Sequence, residues 1–306
     1  MPHAQRSTIH CSLFTIHCVA AIRPRCPQKM NAPLFESVGI AGIGLIGGSL
    51  AKDIRTFGLA NRILGWNRSS AHAERALELG LVDDIVNTLD ALCDTCELII
   101  LAMPVNVLTE TLPTLLSRLS NEQIIIDVGS TKTALVDAVK DHPKRGRFVA
   151  CHPMAGTERS GPDAALDGLF RNRFALIIDP EHSDADAVQK VQTLWTHIGA
   201  VLADMPADIH DSTAAMLSHM PHVLAYALAR TIKEAERNRA LNARFAGGGL
   251  ASMTRIAHSP ISMWQPIFRQ NRKALLAAID TFTAHLADFR TAIANDDPDH
   301  LANLMK

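Results

Sequence analysis

The sequence has no long apolar run and no excess of charge of one sign. Its 306 residues include 30 lysines and arginines against 31 aspartates and glutamates, so bulk charge would not hold a phosphate backbone or an anionic membrane. No apolar stretch approaches the roughly 18 residues that a membrane-spanning helix requires. We therefore expect neither a nucleic-acid partner nor membrane association.

Cysteine is also scarce, and three of the six cysteines fall within the first 29 residues. The remaining Cys93, Cys96 and Cys151 suit a reducing compartment, which predicts a cytoplasmic protein. Cys93 and Cys96 form a CxxC pair without a second pair. This favours two surface cysteines over a zinc or redox centre.

The length and the 47% apolar composition predict a sizeable core and two domains. Residues 1–35 are interpreted as an extension, because basic residues, histidines and cysteines occur there without an acid before Glu36. One explanation is a start codon assigned upstream of Met30, which is favoured. The other is an organelle transit peptide, which is basic and poor in acids.

From residue 37 to residue 205, short apolar runs alternate with helical stretches, as in a parallel sheet covered by helices on both faces. The predicted strands are 37–41, 62–66, 97–102, 123–128, 147–151, 175–179 and 201–205. Beyond residue 206 the pattern predicts long helices over 208–237 and 262–289, separated by three consecutive glycines. The expected fold is a Rossmann-type α/β dinucleotide-binding domain over 36–205, followed by an all-α dimerisation domain over 206–306.

A glycine-rich segment directly follows the first predicted strand and opens a helix. In its GxGxxG pattern, Gly42 would permit the tight turn, Gly44 the close approach of a pyrophosphate, and Gly47 the packing of helix on strand. The helix N-terminus would then face the phosphates. This context predicts a dinucleotide site rather than a glycine-rich turn without a ligand. Further predicted cofactor-binding residues are Leu45, Ile46, Asn67, Arg68, Ala102 and Pro104.

The end of the second predicted strand bears on the choice of cofactor. Asn67 stands 20 residues past Gly47, where NAD-binding folds usually carry an acid for the ribose 2′-hydroxyl. Arg68, with the hydroxyls of Ser69 and Ser70, could instead receive a 2′-phosphate. The prediction is NADP or NAD with NADP favoured, and stacking of Arg68 on the adenine would leave either cofactor open.

Five motifs in order resemble those of the prephenate/arogenate dehydrogenase family. They are GLIGGS at 44–49, DVGSTK at 127–132, HPMAGTERSG at 152–161, SHMPH at 218–222 and TRIA at 254–257. The resemblance implies NAD(P)-dependent oxidative decarboxylation of prephenate to 4-hydroxyphenylpyruvate in tyrosine biosynthesis, by a homodimer acting on a small molecule. Arogenate is the alternative substrate, alone or as the second substrate of a cyclohexadienyl dehydrogenase.

The resemblance also assigns roles to individual residues. His152 would be the general base for the substrate hydroxyl, a task that suits a neutral imidazole beyond the end of a strand. Ser130 would hydrogen-bond this imidazole, and Arg255 would pair with the ring carboxylate. His222 would approach the pyruvyl side chain. Further residues at family positions near the substrate are Thr157, Glu158 and Trp264.

Each of these residues also has a structural interpretation. His152 could bond its own loop, and Arg255 could form an interhelical salt bridge. Ser130 or Thr131 could cap a helix beginning near Lys132, whose own side chain is expected to be solvated.

His219 and His222 form an HxxH pair without a third ligand, so we expect no metal site. His219 is expected to lie in the core or an interface.

Two other classes of function remain open from the sequence. A non-catalytic dinucleotide sensor would need only the cofactor half of these residues, which the presence of His152, Ser130 and Arg255 disfavours. A β-hydroxyacid dehydrogenase would share the architecture but would be expected to use a lysine base in the helical part. Lys233 and Lys273 occur there without a matching motif.

Overall fold

A computed structural model of the chain describes residues 8–11, 14–17, 32–239 and 241–306. They divide into a sheet unit, Met1–His210 with Ser259–Pro266, and a helical unit, Asp211–His258 with Ile267–Lys306. The interpretation of residues 1–35 as an extension falls largely outside the described residues. Within that stretch, β1 (Thr8–Cys11) and β2 (Phe14–His17) form an antiparallel pair.

The sheet unit is built on eight further strands. They are β3 (Phe35–Ala41), β4 (Ala60–Trp66), β5 (Asp84–Ile85), β6 (Leu98–Leu101), β7 (Ile124–Asp127), β8 (Phe148–Pro153), β9 (Phe174–Ile178) and β10 (Val201–Met205). Their order across the sheet is β10-β9-β8-β7-β6-β3-β4-β5. The connecting helices are α1 (Leu45–Phe57), α2 (Ser70–Glu78), α3 (Asp90–Thr95), α4 (Val105–Arg118), α5 (Thr133–Asp137) and α6 (Ala185–Ile198).

All seven strands expected from the sequence are present, and β5 was missed because two residues carry no periodic signal. The expectation of a wholly parallel sheet is wrong at one pair, because β8 and β9 are antiparallel. A parallel crossover usually requires a helix, and residues 154–173 contain only the short 3-10 turn Pro162–Ala164. The chain therefore doubles back after β8.

The core lies on both faces of the sheet, which explains why the central strands are apolar along their whole length. Every residue of β6 and β7 is buried. The expectation of surface cysteines is wrong, because Cys93 and Cys96 are buried at and just after the end of α3. Burial raises the pKa of each of these thiols to about 11, so they serve as packing groups.

Most of the described residues after β10 are helical. The helical elements include α7 (Ala207–Ala214), a π-helix (Ala215–His219), α8 (Met220–Arg237), α9 (Gly248–Thr254), a 3-10 turn (Arg255–His258), α10 (Ile261–Gln270), α11 (Arg272–Ala294) and α12 (Pro298–Leu304). The glycines expected to separate two long helices instead lead into α9, and the second long helix is divided at Asn271. No helix among the described residues is long and apolar enough to cross a membrane.

The loop between β8 and β9 is attached to helix α1. The backbone N–H of Leu166 donates to Ser49 Oγ at 2.9 Å, and that of Gly168 donates to Asp53 Oδ1 at 2.8 Å. Ser49 and Asp53 are both buried, and Lys52 pairs with Asp167 at 3.1 Å on the surface. These contacts hold the loop that contains the HPMAGTERSG motif along the first helix.

Asp53 makes the stability of the sheet unit depend on pH. Burial raises its pKa from 3.8 to about 6, against the lowering effect of the Gly168 N–H. The neutral form is therefore favoured in the folded state, and its stabilisation is lost as the pH rises through 6. Asp53→Asn should raise the free energy of unfolding by up to about 3 kcal/mol at pH 8, with a gain that disappears toward pH 4.

Urea unfolding at several pH values measures this difference. Asp141→Asn, at an exposed position, is the matched control and should change stability little at any pH. An Asp53→Asn gain that stayed constant with pH would contradict the assignment of the effect to ionisation of Asp53.

Candidate active site

Five parallel strands place the predicted site residues at one edge of the sheet. β4, β3, β6, β7 and β8 are neighbours with parallel pairing, so their C-terminal ends meet at the same edge. Open α/β sheets bind their ligands at that edge. The residues found there are Gly42 to Gly47 after β3, Asn67 and Arg68 after β4, Ala102 and Pro104 after β6, Ser130 after β7 and His152 in β8.

The glycine turn after β3 has the geometry of a phosphate cradle. Gly42 has a φ of 95°, and a Cβ there would overlap the carbonyl oxygen of Ala102. A Cβ at Gly47 would overlap the carbonyl oxygen of Gly42, so helix α1 packs directly on the turn. At Gly44 the nearest atom to an added Cβ is the Gly161 nitrogen at 3.9 Å, which leaves space beside the backbone.

Helix α1 begins at Leu45 beside this space, with Gly44 as its N-cap. Leu45 and Ile46 therefore lie in the first turn, where N–H groups have no intrahelical acceptor and attract an anion. The glycine turn and the first turn of α1 therefore fit the pyrophosphate of a dinucleotide.

The region after β4 has no carboxylate on its first residues. Asn67 is half-buried and Arg68 is exposed, and Ser69 caps α2 by accepting from the His72 N–H at 3.4 Å. On the other side of β3, Ala102 and Pro104 follow β6, and Pro104 is the N-cap of α4. These residues flank the glycine turn from both neighbouring strands.

Asp127 and Lys132 form a buried ion pair below the predicted base. Neither side chain is exposed, so the expectation that Lys132 is solvated is wrong. Asp127 Oδ2 also accepts from the Gly129 N–H at 2.7 Å, and Oδ1 accepts from the Cys151 N–H at 3.2 Å. One carboxylate therefore ties the end of β7 and the loop after it to the strand that carries His152.

His152 is buried within β8 itself, rather than beyond the strand as expected. Its Nδ1 lies 2.8 Å from Nε2 of His210, a fully buried residue of α7. Sequence reasoning missed His210, because 58 residues separate the two histidines and His210 belongs to none of the five motifs. The contact with His210 thus engages Nδ1 of the His152 ring.

Ser130 is half-buried after β7. Within the described residues, no hydrogen bond joins it to His152, which the resemblance had implied. The alternative that Ser130 or Thr131 caps a helix is also wrong, because α5 begins at Thr133 with Lys132 at its N-cap position and no side-chain cap. The N-cap position of α5 is therefore filled by the buried Lys132, whose side chain does not cap the helix.

Three further predicted substrate residues lie in the sheet unit. Thr157 is exposed and accepts from the Arg159 N–H at 3.2 Å, and Glu158 is half-buried beside it. Trp264 is buried in α10. Thr157 and Glu158 thus belong to the loop held against α1, whereas Trp264 belongs to the segment Ser259–Pro266 that groups with the sheet.

The helical unit contains His222 on α8 and Arg255 at the start of a 3-10 turn. His222 Nδ1 lies 2.9 Å from the Ser218 carbonyl oxygen, which can only accept. Burial, with a smaller effect of the positive charge on Arg255, lowers the pKa of His222 below its usual value. His222 therefore favours the neutral form, with its proton on Nδ1 and an acceptor at Nε2.

His219 lies in the core of the helical unit. It is buried, and its Nδ1 is 3.0 Å from Nδ2 of Asn271, which also donates to the Asp211 carbonyl oxygen at 2.7 Å. No group of three or more histidine, cysteine, aspartate or glutamate residues in the described part of the chain could hold a metal ion.

A glycine turn after the β3 strand of an open sheet, followed by a helical unit, is the arrangement typical of two-domain, dinucleotide-dependent oxidoreductases. The family model described as "Prephenate dehydrogenase, nucleotide-binding domain" matches residues 50–204, and "Prephenate dehydrogenase, dimerization domain" matches residues 206–306. The chain belongs to the prephenate dehydrogenase family, which confirms the resemblance and the fold class.

Individual relatives agree with this assignment. A cyclohexadienyl dehydrogenase of Zymomonas mobilis is 32% identical, over 89% of this chain and 94% of its own. A prephenate dehydrogenase of Bacillus subtilis is 34% identical, over 89% and 74% of the two chains. The crystal structure of prephenate dehydrogenase from Aquifex aeolicus with hydroxyphenyl propionate and NAD+ is similar, with a TM-score of 0.82, 29% identity and coverage of 88% and 94%.

The buried ion pair predicts a specific pattern of stabilities. Lys132→Met should lower the free energy of unfolding by about 3–5 kcal/mol, because it leaves the Asp127 carboxylate buried without its cation. The double variant Asp127→Asn with Lys132→Met should recover most of this loss, since neither charge then remains. Urea unfolding measures both, and Lys140→Met, at an exposed position, is the control. A double variant no more stable than Lys132→Met would contradict the electrostatic explanation.

Proposed function

We propose that this protein is a prephenate dehydrogenase that converts prephenate to 4-hydroxyphenylpyruvate with NAD(P), in tyrosine biosynthesis. The observation that carries the proposal is a buried histidine, His152, at the same sheet edge as the glycine turn after β3. This position would put a base on the side of the sheet where a dinucleotide would bind. The similarity to prephenate dehydrogenases of Bacillus subtilis and Aquifex aeolicus supports the same substrate.

The cofactor, when bound, supplies the acceptor for the hydride that leaves C4 of the substrate. The backbone from Gly42 to Gly47 and the first turn of α1 would hold its pyrophosphate. His152 would accept the proton of the C4 hydroxyl at Nε2, since its Nδ1 is directed at His210. General-base assistance of this kind is worth about 10²- to 10⁴-fold in rate.

Orientation of the substrate is assigned to the remaining residues. Arg255 would pair with the ring carboxylate, where a planar guanidinium can bind in bidentate fashion. Its contribution would be to positioning rather than to tight ground-state binding, because holding the carboxylate firmly opposes loss of carbon dioxide. Ser130 would bond the substrate hydroxyl. The residues proposed to contact the rest of the substrate are His222, Thr157, Glu158 and Trp264.

NADP is the favoured cofactor of this proposal. Asn67 offers no carboxylate to a ribose 2′-hydroxyl, and the exposed guanidinium of Arg68 could pair with a 2′-phosphate. The hydroxyl of Ser69 accepts a helix-capping bond and can still donate its own hydrogen to a phosphate oxygen.

A homodimer is also proposed. The helical unit exposes large apolar side chains on several of its helices, and the matched family model is named for dimerisation. Burial of this surface against a second copy would remove it from water. The exposed residues include Leu217, Met253, Leu276, Leu286 and Ile293.

Arogenate is the second candidate substrate, and the similarity to a cyclohexadienyl dehydrogenase favours it. Arogenate carries an ammonium group where prephenate has a keto oxygen. His222, which is proposed to approach this part of the substrate, has its Nδ1 bonded to the Ser218 carbonyl oxygen. The relative named cyclohexadienyl dehydrogenase is in keeping with this alternative.

Purified protein assayed with prephenate or arogenate, and with NAD or NADP, should reduce the nicotinamide in at least one of the four combinations. His152→Asn should lower kcat by about 10²- to 10⁴-fold, because the variant loses its proton acceptor. His142→Asn, in a loop of the sheet unit, is the control and should retain activity. Absence of turnover in all four combinations would refute the assignment of prephenate or arogenate dehydrogenase activity. Near-normal turnover by His152→Asn would show that His152 is not the general base.

The role of Arg68 predicts a change in cofactor preference. Arg68→Ala should weaken the kcat/KM for NADP by about 10-fold or more, since a charge-assisted contact to phosphate is worth about 1.5–3 kcal/mol. The kcat/KM for NAD should change less than threefold. Steady-state kinetics with both cofactors measures the ratio. Equal losses for the two cofactors would contradict recognition of a 2′-phosphate by Arg68.

A further inference from the structure

We propose that His210 is a positioning residue that sets the tautomer of His152 and stabilises the charge that His152 acquires. This inference rests on the proposed role of His152 as the base. Its physical basis is a pair of imidazoles held in direct contact inside the sheet unit, and His210 lies outside every motif that indicated the function.

The geometry of the pair is that of a hydrogen bond. Nδ1 of His152 and Nε2 of His210 are 2.8 Å apart, and the ring planes meet at 66° with centroids 5.0 Å apart. His152 is 8% exposed and His210 is 1% exposed, so bulk water does not readily replace either partner. His210 occupies the first turns of α7, where its N–H donates to the Pro206 carbonyl oxygen at 2.9 Å.

The contact permits one proton between the two nitrogens. Two N–H groups cannot face each other at this distance, and two lone pairs would repel. If His152 donates from Nδ1, its Nε2 has a lone pair and can act as the base, while His210 carries its proton on Nδ1. If His210 donates from Nε2, His152 carries its proton on Nε2 and cannot accept another there. The tautomer of His210 thus determines whether His152 is competent.

The same bond acts after the proton has moved. When Nε2 of His152 accepts the proton of the substrate hydroxyl, the ring becomes an imidazolium whose Nδ1–H still points at Nε2 of His210. A hydrogen bond from a charged donor is stronger than one from a neutral donor. His210 therefore stabilises the protonated product of this step more than the neutral base.

Other charged groups near the pair are already engaged. Asp127, at the end of β7, is paired with Lys132 and accepts from the Cys151 N–H. Asp211 follows His210 in sequence and is buried. The group that contacts Nδ1 of His152 is thus an imidazole rather than the carboxylate that often orients a catalytic histidine.

Two variants separate an acceptor role from a packing role. His210→Leu fills much of the same space and removes the acceptor, whereas His210→Gln offers an amide oxygen near the former Nε2 and cannot titrate. His197→Gln, on α6 with its ring bonded to the Thr193 carbonyl oxygen, is the matched control. Thermal unfolding of each variant establishes that it is folded before its kinetics are compared.

We expect His210→Leu to lower kcat by about 10- to 100-fold with KM changed less than threefold. His210→Gln should recover to within about fivefold of the wild type, and His197→Gln should equal it. The acidic limb of the kcat/KM profile should move to lower pH in His210→Leu, because the imidazolium of His152 has lost its acceptor. Wild-type kcat in His210→Leu, or a folded His210→Gln as impaired as His210→Leu, would overturn the proposal.

A second measurement does not depend on turnover or on the folding of a variant. Nitrogen-15 NMR of the wild-type protein labelled at histidine, with His152→Asn used for assignment, reports which ring nitrogen carries the proton. We expect the Nδ1–H tautomer for both His152 and His210 at neutral pH, and an Nε2–H tautomer of His152 would overturn the proposal. If the wild type reduces no cofactor with either substrate, the proposed function fails, and the tautomer alone then decides the assignment of His210.

Discussion

The candidate site depends on the contacts that the buried carboxylate of Asp127 makes. Three groups converge on this carboxylate: the Lys132 ammonium, the Gly129 N–H and the Cys151 N–H. A charge in this position is tolerable only while all its partners are in place. The same condition fixes the path of the loop with Ser130 and the register of the strand with His152. The geometry of the proposed base is therefore a consequence of neutralising one buried acid.

A second set of contacts acts on the other side of His152. The loop that follows β8 is bonded to Ser49 and Asp53 of the helix that begins at the glycine turn, and Arg75 of α2 holds Asp163 of the same loop through Nε at 2.9 Å. The segment with Thr157 and Glu158 is thus attached to the two helices that border the proposed dinucleotide site. Substrate and cofactor would share one rigid support rather than two independent ones.

The sequence was sufficient for the elements that carry a periodic or glycine signal. The glycine turn, seven strands and the helical second part follow from apolar patterning and from backbone requirements at Gly42 and Gly47. What could not be predicted depends on contacts between distant residues. Lys132 looked like a surface lysine because its partner is a strand residue whose burial no local pattern reveals, and His210 meets His152 only after the sheet has formed. The reversal at β9 was missed because strand direction is set by the connection rather than by the strand.

That reversal has a consequence for how such an enzyme can change its specificity. Because β9 runs back beside β8, the loop between them is free of the length and handedness that a helical crossover imposes. Two of its attachments to α1 use backbone N–H groups of the loop, at Leu166 and Gly168, and any residue except proline supplies such a group. Side chains in this loop can therefore be exchanged without loss of these two anchors. The surface of this loop can thus change during evolution while its attachment to α1 stays unaltered.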